Sequence, residues 1–354
     1  PAPRPEGCSP VNPAVLYPLQ PDHPELVAPF AALVRRTGAR RLWMCQSFQA
    51  ETHQVLAYLA GAGHTVPVGT SVTLLPLRHP YEAALQARSL ALLTDEPVVA
   101  GFGIGNPDFV AGLTGRPYDS PRTAVRDYLR SVRALLDGER VEAGGPYHHL
   151  DGALPVLPHA PRVEVGAGVL RPGMARTAGE AADVAITWMT PPGYVAGTLR
   201  PALEEGAAAA GRSRVPRIAT AVHVVLDRPG RDVRALALAA TAGHREAPHY
   251  AAMLRAAGLG LDPHDPAGSA DALLRHRVVV AGSAQEIAGA LDAYRRSGVD
   301  EVLLNPTGVL LGEGVHAAVE DLEEILGACR SFLPGDRQEA ASVEPGQRPG
   351  RLVG

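Results

Sequence analysis

Lysine is missing from this chain altogether, and all 33 of its basic residues are arginines. With abundant alanine, glycine and proline, this matches GC-rich codon usage and carries no structural meaning. Cysteine is scarce. Cys8, Cys45 and Cys329 are odd in number and widely scattered, so they offer neither a metal-binding spacing nor a disulfide framework. Net charge is small, −4 at pH 7, which leaves no electrostatic footprint for nucleic acid. No apolar run approaches the roughly 18 residues that a membrane span requires, and the first residues show no signal-peptide pattern. The expectation is a cytoplasmic chain with neither nucleic acid nor membrane as a partner.

What is present is alternation. A chain of 354 residues with 46% hydrophobic content can bury one large core or two modest ones. Short β-branched runs fall at 14–17, 41–45, 66–75, 98–104, 163–167, 184–188, 218–226 and 301–305, with amphipathic stretches between them. The clearest of these is 283–296, where Ala284, Ile287, Leu291 and Tyr294 recur at helical spacing. Ser283 and Glu286 there form a capping box, and Gly298 follows as a C-terminal stop. In a second stretch, 314–330, Val315, Val319, Leu322 and Leu326 share one face. Eight strands separated by helices predict an α/β fold, a (β/α)8 TIM barrel with insertions; the alternative is an open doubly wound sheet. The barrel is expected over residues 11–332. The ends, 1–10 and 333–354, have too few apolar residues to pack and are expected to be mobile. Two connections exceed simple loops: residues 137–161 are expected to cross the barrel top, and 227–300 to hold several helices.

In a barrel, residues just past the strand C-termini line the active site. Here they are Tyr17, Gln46-Ser47, Ser71-Val72-Thr73, residues 101–106 and 166–173, Trp188-Met189-Thr190, His223 and Asn305. The set holds no His/Asp/Glu cluster for a metal and no nucleophile beside a base. Such a site suits an organic cofactor that brings its own chemistry. The run GFGIGN places Gly101, Gly103 and Gly105 on one side of a strand, leaving room for a flat ligand or for close packing of a neighbouring strand. Its spacing is not that of a dinucleotide-binding loop. In GAGVLRPG, Gly166-Ala167-Gly168-Val169 leads into a helix starting near Pro172. Free N–H groups there can hold a phosphate or carboxylate, with Arg171 adding charge; a tight turn explains the same glycines. Among the histidines, His53, which follows Glu51 past the second strand, is the first candidate. His79 reads as structural at a helix start, and His148 and His149 as surface residues. His223 lies inside a strand and its face stays open.

One stretch poses a question. GTSVTLLPLRHP, residues 69–80, puts small polar residues inside an apolar strand and a proline near its exit. Taken with RHPYEAALQARSLALL, GFGIG, GAGVLRPGMARTAGEAADVAI and VVVAGSAQEIAGALDAYRRSGVDEVLLNP in that order, it resembles the bacterial luciferase-like superfamily across roughly residues 11–330. Within it, the chain looks most like the oxidoreductases that use the deazaflavin coenzyme F420. The resemblance implies a cofactor ring in the barrel mouth, a phosphate tail near the fifth and sixth strands, and a non-proline cis peptide at Ser71-Val72. It assigns Ser71, Val72, Thr73, Gly103, Ile104, Gly105, Asn106, Gly166, Ala167, Gly168, Val169 and Arg171 to the cofactor, and it implies a homodimer. Sugar-phosphate and alcohol dehydrogenases of this kind carry an Asp-His pair before Phe-Gln. This chain has Gln46-Ser47-Phe48-Gln49, and Asn106 where those enzymes have a Glu. The natural proton acceptor for alcohol oxidation is gone. The reading is therefore a reductase that passes hydride to an activated C=C or C=N bond of a small molecule or modified peptide. Gln46 and Ser47 would orient the substrate or the ring edge by hydrogen bonds, and Glu51, His53 or Tyr147 would deliver the proton. Two alternatives remain: an FMN-dependent monooxygenase on the same scaffold, and a non-catalytic barrel that binds a flavin or a lipid.

Overall fold

The computed structural model describes residues 13–331, so the expected mobile ends, 1–10 and 333–354, lie outside the described residues. Eight parallel strands form the centre: β1 (Ala14–Tyr17), β2 (Leu42–Met44), β3 (Val68–Thr70), β4 (Val98–Gly103), β5 (Val163–Gly168), β6 (Val184–Trp188), β7 (Arg217–Leu226) and β8 (Glu301–Asn305). They pair in chain order and β8 returns to β1, which closes the barrel. Closure with helices outside buries the strands on both faces, which is why they read as near-continuous apolar runs. The doubly wound alternative is excluded. The helix Ala284–Arg296 carries the expected capping box between Ser283 and Glu286, with Gly298 beyond it at φ 94°.

Register and alternation sort the interior into layers. At the N-terminal end Glu301, fully buried, accepts from Arg41 Nε at 2.9 Å and Trp43 Nε1 at 2.8 Å, with Arg40 Nε at 3.0 Å and Arg217 Nη1 at 3.5 Å. Above this charged floor lie Leu16, Trp43, Ile186 and Leu303, all buried. A Cβ on Gly101 would meet the Thr70 carbonyl oxygen at 2.0 Å and Ile186 Cδ1 at 2.4 Å, and one on Gly166 would meet Ile186 Cδ1 at 2.7 Å. Those two glycines serve packing inside the barrel.

Three segments differ from expectation. The run 66–75 is not one strand. It divides into β3, a two-residue strand Thr73–Leu74 beside β4, and a 3-10 turn Leu75–Leu77. Where its backbone ladder breaks, hydroxyls replace it: Thr70 Oγ1 accepts from Gly101 N at 2.8 Å and donates to Gly101 O at 3.0 Å, and Thr73 Oγ1 donates to the same oxygen at 3.1 Å. That is what small polar residues do inside a buried strand. Secondly, the connection 137–161 runs along the outer flank and not over the mouth. It forms a hairpin, Val141–Gly144 with His149–Gly152, fastened by Tyr81 Oη to Ala153 O (3.3 Å), Arg88 Nη1 to Pro155 O (2.7 Å) and a Ser131–His148 bond (3.0 Å). Thirdly, residues 227–300 hold, besides their helices, a strand Val279–Gly282 that pairs with the end of β7 from His223 to Leu226.

Candidate functional site

The end of β3 builds one wall of the mouth. The Ser71–Val72 peptide is cis, at the position the resemblance implied. Ser71 N donates to Met44 O at 2.8 Å, and Val72 O accepts from Gln46 N at 3.1 Å, so the bulge is tied to β2. Its side chain stands over glycines: a Cβ on Gly103 would lie 2.5 Å from Val72 Cγ2, and one on Gly168 would lie 3.5 Å from both Val72 methyls. A half-buried valine thus forms an apolar platform, and the glycines of β4 and β5 give it room. Gly103 and Gly168 work by admitting Val72, not by leaving an open slot of their own.

Beside the platform, the loop after β2 gathers four of the expected catalytic residues. Gln46 Oε1 accepts from Leu74 N (3.3 Å) and Arg78 Nη1 (3.4 Å), while its Nε2 donates to Ser47 O (2.7 Å). Ser47 Oγ accepts from Gln49 N at 3.2 Å. Glu51 caps the helix Thr52–Gly61 through Gln54 N (3.0 Å) and meets His53 Nδ1 (3.0 Å) and Arg78 Nη2 (2.8 Å). Burial opposes its ionisation. The His53 hydrogen bond and charge, the Gln54 N–H and Arg78 outweigh that and bring the carboxyl down to about 2. Glu51 is therefore a carboxylate at neutral pH and not the acid that the sequence suggested. Gln46 Oε1 is engaged by the protein, while one Nε2 N–H of Gln46 and the Ser47 hydroxyl proton have no acceptor among the described residues. Nearby, burial pushes the Cys45 thiol up to about 12, only partly offset by Ser71, so it is no nucleophile.

The remaining expected residues separate. Tyr147 sits at the hairpin on the outer flank, its hydroxyl accepting from Ser120 N at 2.8 Å and its ring edge-on to Tyr118 at 5.2 Å. Among the described residues no hydrogen bond or ring contact joins it to the Glu51 cluster, so its assignment as proton donor loses its geometric basis. The cleft of about 480 Å³ beside it, lined by Arg130, Arg140 and His148 among others, belongs to this flank. Asn106 caps the helix Pro107–Thr114 by accepting from Asp108 N at 2.8 Å. Gly105 turns at φ 82° against Phe109 and Leu74, and half-buried Ile104 packs on the core. Ala167 and Val169 are buried, and Val169 N bonds to Ile186 O at 2.7 Å. Ala167 alternates with inward-facing Gly166 and Gly168, so its side chain faces away from the mouth.

Arg171 is the exposed N-cap of the helix Pro172–Ala181, and its side chain makes no capping bond. Arg122 approaches from the neighbouring helix, its Cδ 3.5 Å from where a Gly173 Cβ would stand. Two guanidinium groups beside an uncapped helix start can hold a phosphate. Among the described residues no cluster of His, Cys, Asp or Glu has metal-binding geometry.

The opposite wall was not assembled by sequence reasoning. Trp188 at the end of β6 lies edge-on to His223 of β7, ring centroids 5.9 Å apart, and His244 tilts over the indole at 5.3 Å. Tyr250, from the helix Pro248–Ala256, meets His244 at 5.0 Å. His223 is the register partner of Asn305 on β8. Both are buried, and among the described residues Trp188 Nε1, both His223 ring nitrogens and Asn305 Nδ2 are buried without a partner. Burial lowers the His223 pKa to about 3, with His244 adding to the effect, so the imidazole is neutral. The only signal in the sequence was position: Trp188 and Asn305 end their strands, and His223 lies inside β7, three residues before its end.

Comparison with known proteins agrees with the barrel fold. The profile of the luciferase-like monooxygenases matches residues 10–301. The F420-dependent glucose-6-phosphate dehydrogenase of Kineococcus radiotolerans is 26% identical over 320 residues, 80% of this chain and 88% of its own. A Mycobacterium tuberculosis protein, provisionally named a coenzyme F420-dependent oxidoreductase, is 28% identical over 130 residues, and the match spans only 36% of either chain. The F420-dependent tetrahydromethanopterin reductase of Methanopyrus kandleri superposes with a TM-score of 0.71 at 20% identity, covering 89% of this chain and 99% of that one. At that identity the likeness is one of fold, and monooxygenases share it.

Proposed function

Since the chain belongs to the luciferase-like monooxygenase family, we propose that it is a reductase dependent on the deazaflavin coenzyme F420, acting on an activated C=C or C=N bond. The Val72 platform carries the reading: it offers a flat ring an apolar seat in the mouth, and Arg171 and Arg122 at the start of the helix Pro172–Ala181 offer cations to a phosphate. A bound reduced deazaflavin supplies a hydride. Val72 would hold the ring against β3, and Arg171, Arg122 and the Gly173 N–H would hold the phosphate. Gln46 and Arg78 keep the bulge in place through the Gln46 amide. On the acceptor, a C–H bond forms at one atom as the π pair moves to its neighbour, and a solvent proton completes the reduction. Proximity is the main catalytic contribution in such a site. Unsaturated secondary metabolites and peptides containing dehydroamino acids are the proposed acceptors, and a homodimer is the proposed assembly, which light scattering tests.

The test of cofactor class is a fluorescence titration with oxidised coenzyme F420 and, separately, with FMN. Preferential binding of F420 supports the reading. Preference for FMN, with oxygen consumed on reduction, would replace it with monooxygenation, to which the family's description also points. Binding of either without turnover of any acceptor would favour the non-catalytic barrel.

A further inference from the structure

Barrel closure fixes which walls face each other. In an eight-stranded barrel paired in chain order, β3 and β7 are four strands apart in either direction. A planar ring seated on Val72 therefore turns its free face toward β7 and its neighbour β8. The orphaned nitrogens of His223 and Asn305 lie there, with Trp188 Nε1 beside them on β6. Leaving a buried polar atom without a partner is destabilising, so such a group calls for a ligand or a water.

The donors are oriented. Asn305 Oδ1 is already saturated by Thr307 N at 3.0 Å and Thr307 Oγ1 at 2.5 Å. That fixes the amide, leaving the NH2 group as the half that has no partner. Trp188 Nε1 can only donate, and a neutral imidazole offers one N–H and one lone pair. The three donors sit on the neighbouring strands β6, β7 and β8, and among the described residues no Asp, Glu or Arg side chain is hydrogen-bonded to any of these donors. The surrounding rings, His244 and Tyr250, make the pocket aromatic.

We infer that Trp188, His223 and Asn305 form the seat for the acceptor's own polar group, and that this group is an uncharged carbonyl oxygen conjugated to the bond being reduced. The inference rests on the proposed reductase reading for the ring on Val72. Among the described residues no Arg is hydrogen-bonded to these nitrogens, so a phosphate or carboxylate would lack a cation in direct contact, while an uncharged carbonyl needs only the N–H donors. As hydride reaches the β-carbon, a C–H bond forms, the C=C pair shifts, and the enolate oxygen receives the negative charge under these three N–H groups. A solvent proton on the α-carbon completes the two-electron reduction, and the deazaflavin is oxidised. The three residues hold and polarise the acceptor; none of them supplies the proton.

The test uses two probes of one skeleton, cinnamamide and cinnamate, titrated by calorimetry into the protein with and without saturating oxidised F420. The amide is expected to bind at least tenfold more tightly than the carboxylate. Trp188→Phe keeps an aromatic ring but loses the N–H together with part of the indole; it and Asn305→Leu should each weaken amide binding about tenfold, with F420 affinity within twofold of wild type and melting curves confirming the fold. Equal or tighter binding of cinnamate, or no measurable binding of the amide, overturns the inference. So does loss of F420 affinity with amide binding unchanged, which would assign the donors to the ring's edge. Variants that change neither would leave the donors to a buried water and also overturn it. The titration without F420 still reads the pocket if the cofactor reading itself fails.

Discussion

Arg78 Nη2 lies 2.8 Å from Glu51 Oε1, joining the segment after the β3 bulge to the helix start that follows β2. The pair makes the bulge part of a clamp whose other arm is Gln46. Its acid dependence follows from sign. The carboxyl is lowered from 4.5 to about 2 in the folded chain, so its contribution is complete above about pH 4.5 and fades as pH falls toward 2. Glu51→Gln should flatten the fall in melting temperature between pH 5 and 2. It should also cost about 1 kcal/mol at neutral pH through the weakened cap. A variant whose acid limb parallels the wild type would show that the pair does no such work.

Two glycines one turn of the pleat apart should separate stability from binding. Gly101→Ala drives a methyl against the Thr70 carbonyl at 2.0 Å, backbone that cannot step aside. A loss of roughly 1–3 kcal/mol or more in urea unfolding is expected. Gly103→Ala meets only Val72 Cγ2 at 2.5 Å. That side chain can rotate, so F420 affinity should fall more than stability does. Equal effects of the two substitutions on binding would argue that Val72 is not the ring's seat.

Glu301→Leu removes the acid around which Arg40, Arg41, Arg217 and Trp43 converge. Arg41 is already nearly sealed from solvent, and its Nη1 has no partner among the described residues. Stranding buried cations typically costs about 3–5 kcal/mol. Denaturant unfolding should show that loss, and a change under 1 kcal/mol would mean that water reaches the floor.

Arg171→Ala should weaken F420 about tenfold while leaving the phosphate-free 8-hydroxy-5-deazariboflavin within twofold, as read by fluorescence titration. Added salt should narrow the difference, because the arginine is exposed. Parallel losses for both ligands would move Arg171 away from the phosphate.

Most of the barrel was legible because buried strands write themselves as short β-branched runs. The spans 14–17, 184–188 and 301–305 coincide with β1, β6 and β8. Val279–Gly282 escaped because its four residues directly precede a strong capping box and are flanked by helices. The break at Ser71-Val72 was foreseen through resemblance; its local reason, hydroxyls of Thr70 and Thr73 serving Gly101, is a contact across 31 and 28 positions that no local pattern encodes. The cluster of Gln46, Ser47, Glu51 and His53 was found because those residues are near in sequence. The partners that tie down Gln46 and Glu51, Leu74 and Arg78, lie about 27–32 positions away and depend on the fold. The Trp188–His223–Asn305 group spans three strands over more than a hundred residues, and only a closed barrel brings it together.

The short strand Val279–Gly282 fastens the chain back onto the end of β7. The excursion between them, which carries His244 and Tyr250, is thereby pinned at both ends. Doubling the length of such a loop costs only about 0.6 kcal/mol. Changes of length within this excursion should therefore cost little stability and leave the strands β3 to β5, which carry the Val72 wall, in place.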